Sequence, residues 1–131
     1  QEFKNWSIAP TKKIITAIKQ LHPEIPIIGF PRNAAAKITE YVDETGVDGV
    51  SLDYNVSLDA GKKLQEKTVI QGNLHPDLLL GDKDKMLDQA KRIVEAWGDK
   101  PFIFNLGHGV SQFTPPENVA TLSEYLLSVR I

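Results

Sequence analysis

FIFNLGHGV, residues Phe102 to Val110, is an apolar, strand-forming run that breaks into Asn-Leu-Gly-His-Gly. A turn needs one glycine at most. Two glycines about an imidazole predict a backbone kept slim so that something can come close to it. The stretch therefore reads as a strand, Pro101 to Leu106, followed by a turn in which the flanking glycines leave His108 unshielded.

Upstream and downstream of it, short apolar runs alternate with amphipathic ones. Ile14, Ile15, Ile18 and Leu21 form one helical stripe, with Pro10 suited to a first turn and His22-Pro23 as the stop. Ile25 to Phe30 reads as a strand, and Asn33 as the cap of a helix that buries Ile38, Tyr41 and Val42 and closes at Gly46. Val50 to Asp53 is a second strand, followed by a helix from Ser57 through Leu64. Thr68 to Gln71 is a third. A helix over Lys83 to Trp97 then turns Leu87, Ala90, Ile93, Val94 and Trp97 inward and ends at Gly98. After the Phe102 stretch, Thr114-Pro-Pro-Glu117 has capping-box spacing ahead of a helix lined by Val119, Leu122, Tyr125, Leu126 and Val129.

The order is a helix and then four βα units, which predicts an α/β fold with a parallel sheet. Periodicity leaves two architectures open: a small open sheet, or half of an eight-stranded barrel, whose full form needs about 250 residues. At 131 residues the chain holds one core and is too short for two ordinary domains, so residues 1–131 read as one unit. It opens Gln1-Glu2-Phe3, without methionine, and runs straight into helix-like sequence, as expected of a cut chain.

Composition narrows the function classes. A net charge of −2 offers no basic footprint for nucleic acid and no cationic face for a membrane. No apolar run approaches the roughly 20 residues of a bilayer span. With no cysteine there is neither a disulfide framework nor a thiolate metal site, and the cytoplasm is the default compartment.

In parallel α/β folds ligands meet the carboxyl ends of the strands. Those ends carry Phe30-Pro-Arg32-Asn, Asp53-Tyr-Asn, Gly72-Asn73-Leu-His75-Pro and Asn105-Leu-Gly-His108-Gly. Arg32, Asp53, Asn73, Asn105 and His108 thus fall on one rim. Arg32 suits substrate carboxylates through its planar fork, or is a solvated loop cation. Asp53 is read as a structural tie for the next turn, and Asn73 and Asn105 as satisfiers of loop backbone. His22 is placed on the surface and His75 in a helix-initiating His-Pro-Asp turn. The three histidines lie too far apart for a zinc motif, and neither the GxGxxG nor the GxxxxGK phosphate spacing nor a GxSxG elbow occurs.

QGNLHP, then FIFNLGHG some thirty residues on, then TPPENV, strongly resembles the C-terminal part of the uroporphyrinogen decarboxylase family. WSIAP before the first helix, IIGFPR at Ile27 to Arg32 and DGVSLDY at Asp48 to Tyr54 extend the likeness over nearly the whole chain. The resemblance implies the last four βα units of a TIM (β/α)8 barrel, homodimeric when complete. It further implies removal of carboxyl groups from the four acetate side chains of uroporphyrinogen III, giving coproporphyrinogen III in heme biosynthesis, with no metal or organic cofactor. The family histidine of NLGHG lines the substrate cleft and maps onto His108, its flanking glycines keeping the rim low for a tetrapyrrole. The essential aspartate belongs to the N-terminal half, so this chain is expected to hold no catalytic residue and to be inactive alone.

Two departures stand out: His75 where the family commonly has Asp, and Asn33, Ala34 and Ala35 where it often has glycines. The alternatives are a corrinoid-linked methyltransferase, which the lack of cysteine opposes, and a non-catalytic carboxylate-binding α/β module. Cutting a barrel would bare an apolar inner face, here expected to comprise Ile27, Ile28, Val50, Leu52, Val69, Ile70, Ile103 and Phe104, so self-association is predicted.

Overall fold

A computed structural model describes residues 1–129. A π-type turn over Lys4–Ile8 runs into helix α1 (Ala9–Leu21), with Pro10 at its start and His22 as its C-cap. Strand β1 (Ile28–Gly29) leads through a 3-10 turn, Ala35–Lys37, to α2 (Ile38–Thr45). Gly46, at φ 73°, closes that helix in the left-handed region that glycine enters without cost. Strand β2 (Gly49–Ser51) precedes α3 (Leu58–Leu64), whose cap Ser57 accepts from Ala60 N at 3.2 Å. Strand β3 (Val69–Leu74) is followed by a 3-10 turn over Pro76–Leu80 and by α4 (Lys83–Trp97). Strand β4 (Phe102–Leu106) and α5 (Pro116–Ser128) complete the set.

The four strands pair in the order β1-β2-β3-β4, each parallel to the next. Alternation gives the sheet two unlike faces. Val50, Leu52, Ile70 and Leu74 turn to one side, at 0–1% exposure, and join Ile15, Ile38, Tyr41, Val42, Leu64, Met86, Ala90, Ile93, Trp97 and Leu122 of the helices in one core. Trp97 is its largest fully buried member. Its indole Nε1 donates to Leu58 O at 2.9 Å and its ring meets Phe102 edge-on. Gly61 is a glycine because a Cβ there would enter the Trp97 ring.

The opposite face is bare. Ile28 is 45% and Ile103 42% exposed there, beside half-buried Val69 and Gln71. The inner face expected from the sequence is thus corrected: Val50, Leu52 and Ile70 lie on the helix side, Ile27 and Phe104 pack against the core, and only Ile28, Val69 and Ile103 remain on the open side. Runs of consecutive apolar residues hide this division, since alternation assigns neighbours to opposite faces whatever their type.

Other differences have local causes. β1 is shorter than Ile25 to Phe30 because side chains occupy the backbone ahead of it. Lys19 Nζ donates to Ile25 O at 2.8 Å, and Ile27 N donates to Asp48 Oδ2 at 2.7 Å. Asn33 does not cap α2; it sits at φ 57° and spends its N–H elsewhere. The capping box does not form at Thr114. Pro115, preceding Pro116, is pushed to ψ 126° and becomes the N-cap itself, and Thr114 Oγ1 is left without a partner. On α1, Ile15 is buried, but Ile14 and Leu21 are 61% and 77% exposed: the stripe exists, and nothing among the described residues covers that part of it.

Asp48 joins the end of α1 to the starts of β1 and β2, since Lys19 Nζ also lies 2.8 Å from its Oδ2. The Lys19 hydrogen bond, then the Ile27 N–H, hold the Asp48 carboxyl below its ordinary value. A depressed carboxyl stabilises the fold above the unfolded-state value, and that contribution disappears as pH falls through the folded-state value. Asp48→Asn is therefore expected to lower the urea midpoint at about pH 6 and to lower it less at about pH 2. An equal loss at both would exclude the ion pair as the cause.

Candidate functional site

Two of the five rim residues, Asp53 and Asn73, bond to the backbone of the rim itself. Asp53, 3% exposed, accepts from Asn33 N at 2.6 Å through Oδ2 and from Asn55 N at 2.8 Å through Oδ1, tying the loop after β1 to the turn after β2. Asn73, 6% exposed, donates from Nδ2 to Asp53 O at 2.9 Å and to Val56 O at 2.8 Å, which ties the turn after β2 to the end of β3. Arg32 is exposed, and its side chain forms no ion pair or hydrogen bond among the described residues.

The fourth strand is tied by backbone. Gly107 N donates to Leu74 O at 2.8 Å, drawing the β4 turn onto β3. A Cβ on Gly107 would lie 2.5 Å from Tyr54 N and 3.1 Å from Asn73 O. What comes close to this glycine is therefore the protein's own backbone, which corrects the expectation that both glycines serve a ligand. Gly109 differs: nothing lies within 4 Å of the Cβ it lacks, so the space beside it is open.

His108 stands between them, exposed on the rim. Its Nδ1 accepts from Gly109 N at 2.7 Å, so the neutral ring carries its proton on Nε2, the nitrogen left for a ligand. Phe30 meets the imidazole edge-on, with centroids 6.5 Å apart. Below them a cleft of about 390 Å³ runs over the open sheet face, lined by Ile28, Phe30, Ser51, Gln71, Asn105, Leu106, His108 and Gly109. Asn105 Oδ1 accepts from Leu106 N at 2.8 Å, leaving its amide NH2 to the cleft. The structure thus brings His108 and Asn105 to one cleft, and leaves Arg32, Asp53 and Asn73 outside its lining.

Ser51 and Gln71 belong to this cleft and escape the sequence reading. Ser51 falls inside the strand read at Val50 to Asp53 and Gln71 at the end of that read at Thr68 to Gln71, and only their register (Ser51 opposite Gln71, Gln71 opposite Ile103) puts them side by side. His75 does cap a turn, accepting from Asp77 N at 3.2 Å, and stacks on Tyr54 at 4.0 Å. Both border a second cavity of about 540 Å³ with Leu74 and Ile93, on the helix side of the sheet and away from His108. His22 lies on the surface, 3.9 Å from Glu24. Among the described residues no three His, Cys, Asp or Glu side chains gather as a metal site, and no helix is long and apolar enough to cross a membrane.

Residues 1–128 match the family model for uroporphyrinogen decarboxylase (URO-D). The chain belongs to the uroporphyrinogen decarboxylase family. Curated members include the uroporphyrinogen decarboxylase of a Wolbachia of Brugia malayi, 47% identical over 96% of this chain and 36% of that protein. Those of Novosphingobium aromaticivorans and Rhodospirillum rubrum are 44% and 45% identical, over 92% and 98% of this chain and 36% and 37% of theirs. The chain thus spans little more than a third of the length of these family members, and it matches their C-terminal portion.

The tie at Asn73 is open to direct measurement. Asn73→Ala strips a donor from two carbonyls, Asp53 O and Val56 O, and is expected to cost about 2–3 kcal/mol in urea unfolding. Asn105→Ala, on an exposed residue bonded only to its own neighbour, should stay within about 0.5 kcal/mol. Equal effects would contradict the division between rim-building and cleft-lining asparagines.

Proposed function

We propose that this chain, residues 1–131, is the C-terminal half-barrel of a uroporphyrinogen decarboxylase, a carboxy-lyase of heme biosynthesis, and supplies one wall of its active site. The observation that carries this reading is the cleft beside His108: the NLGHG histidine lies at the carboxyl ends of parallel strands, on the sheet face that no helix among the described residues covers, next to open space at Gly109. Support for the half-barrel comes from the sequential order of parallel strands, the bare face, and family members nearly three times as long.

The substrate is uroporphyrinogen III. Each acetate side chain loses CO2 as its C–C bond breaks, and the remaining methylene takes up a proton to become methyl, until coproporphyrinogen III is reached. His108 contacts the tetrapyrrole through Nε2–H, a donor to a carboxylate oxygen, with Phe30 holding the ring from the side. Arg32, whose side chain has no partner among the described residues, attracts the polyanion from the rim. Proton delivery to the pyrrole requires a positioned acid, and Asp53, which spends both carboxylate oxygens on backbone N–H groups, does not serve as one. The acid therefore comes from the N-terminal half, and no metal or organic cofactor takes part. The complete enzyme works as a homodimer.

Two measurements test this. In the complete polypeptide, His108→Ala is expected to impair coproporphyrinogen formation without abolishing it, while the 131-residue chain alone gives no product. Unchanged kcat and KM in the variant, or turnover by the isolated chain, would overturn the assignment. Light scattering on the isolated chain should find self-association through the open face, where Ile28 and Phe30 are each 45% and Ile103 42% exposed. A stable, monodisperse monomer without a bound second peptide would count against the half-barrel.

A further inference from the structure

The lining of the cleft is one-sided in its chemistry. Its polar members are Ser51, Gln71, Asn105 and His108, and it includes no Asp or Glu. His108 Nδ1 and Asn105 Oδ1 both accept from neighbouring backbone N–H groups. Their remaining functional groups are donors, the Nε2–H and the amide NH2. Such a lining favours a ligand rich in acceptors.

Ser51 and Gln71 extend this pattern beneath the rim. They stand on adjacent strands in direct register, on a face otherwise made of Ile28, Val69 and Ile103. An amide among isoleucines is costly unless its hydrogen bonds are met. Gln71 Nε2 donates to Ser51 Oγ at 3.2 Å, and among the described residues neither side chain makes another hydrogen bond. The second amide N–H and the Ser51 hydroxyl proton are unclaimed. Turning the amide over changes nothing essential: Ser51 would then donate to Oε1 and both amide N–H groups would be free. Either way two donors remain, held in place by the pair's own bond. Gln71 is also two residues earlier on β3 than Asn73, the strand partner of Asn105, and so lies deeper than Asn105 and His108.

We propose that Gln71, oriented by Ser51, is a specificity-determining residue that hydrogen-bonds one substrate carboxylate inserted beneath His108, and that this carboxylate is one the reaction leaves in place. The proposal rests on the reading of the chain as part of a uroporphyrinogen decarboxylase. Its second half follows from the chemistry. A carboxylate leaving as CO2 loses its charge, so donors on it would stabilise the ground state more than the transition state and slow the step. Neutral donors at the cleft floor serve a propionate that stays, fixing the macrocycle in register, and their effect belongs in KM.

The test uses the complete polypeptide, with uroporphyrinogen III as substrate and thermal unfolding alongside. Gln71→Leu is expected to raise KM about tenfold with kcat within about twofold, the scale of one hydrogen bond to a charged group. Gln71→Glu, which sets a like charge against the carboxylate, should raise KM further. Ser51→Ala, which only loosens the amide, should raise it less. Gln71→Asn keeps the amide but withdraws it by one methylene, and should raise KM at unchanged Tm. An unchanged KM across the Gln71 variants overturns the proposal, whether Tm is kept or lowered, since a lowered Tm alone means packing. So does a fall in kcat at constant KM, which would place Gln71 on a reacting group. If the wild-type polypeptide turns over uroporphyrinogen and the variants match it, only this inference falls. If the wild type does not turn it over, the functional reading falls as well.

Discussion

The ends of the first three strands are held together through the side chains of Asn73 and Asp53. The Asn73 amide spans from β3 to Asp53 O and Val56 O, and the Asp53 carboxylate in turn takes the N–H groups of Asn33 and Asn55. Gly107 adds the last strand by pressing its bare Cα against the same turn, at Tyr54 N and Asn73 O. Buried carbonyls and amides left unpaired cost about 1–3 kcal/mol each, so loops after three different strands share one set of obligations. The rim is tied together for that reason, and His108 takes its place on it with one side-chain hydrogen bond of its own, accepted from the neighbouring Gly109 N.

The same division of labour explains the unequal faces of the sheet. The helix side is closed by large apolar residues about Trp97. The other side keeps isoleucines in view and interrupts them with one polar pair, Ser51 and Gln71. A sheet that ended at this chain would be expected to hide such residues or to replace them. In the half-barrel proposed above, the bare face would line the lumen and the polar pair would lie within reach of a ligand entering from the rim.

Much of this was legible in the residues themselves. Helix and strand order, the Ser57 cap, the Gly46 stop and the span of α4 all follow from local rules, because caps and apolar periods act within a few residues of chain. The motif about His108 placed the chain in its family for a similar reason: NLGHG is contiguous, so its information is complete without neighbours. Where local rules misled, another local rule or a distant side chain won. Pro116 displaced the expected cap at Thr114, and Asp48 took the N–H that would have lengthened β1.

Which residue faces which side of the sheet was decided only in three dimensions. Gly107 and Gly109 read identically in sequence, yet one is forced by the backbone of Tyr54 and the other borders empty space. Asn73 and Asn105 are both strand-end asparagines, yet one is buried as a tie and the other lines the cleft. Ser51 and Gln71 carry no motif and become a pair only when β2 and β3 align. The sequence by itself determined the elements, their order and the family, since these depend on short-range preference and contiguous pattern. The tertiary structure decided the site, because strand register and close approach are relations between residues some twenty or more apart, and no local preference encodes them.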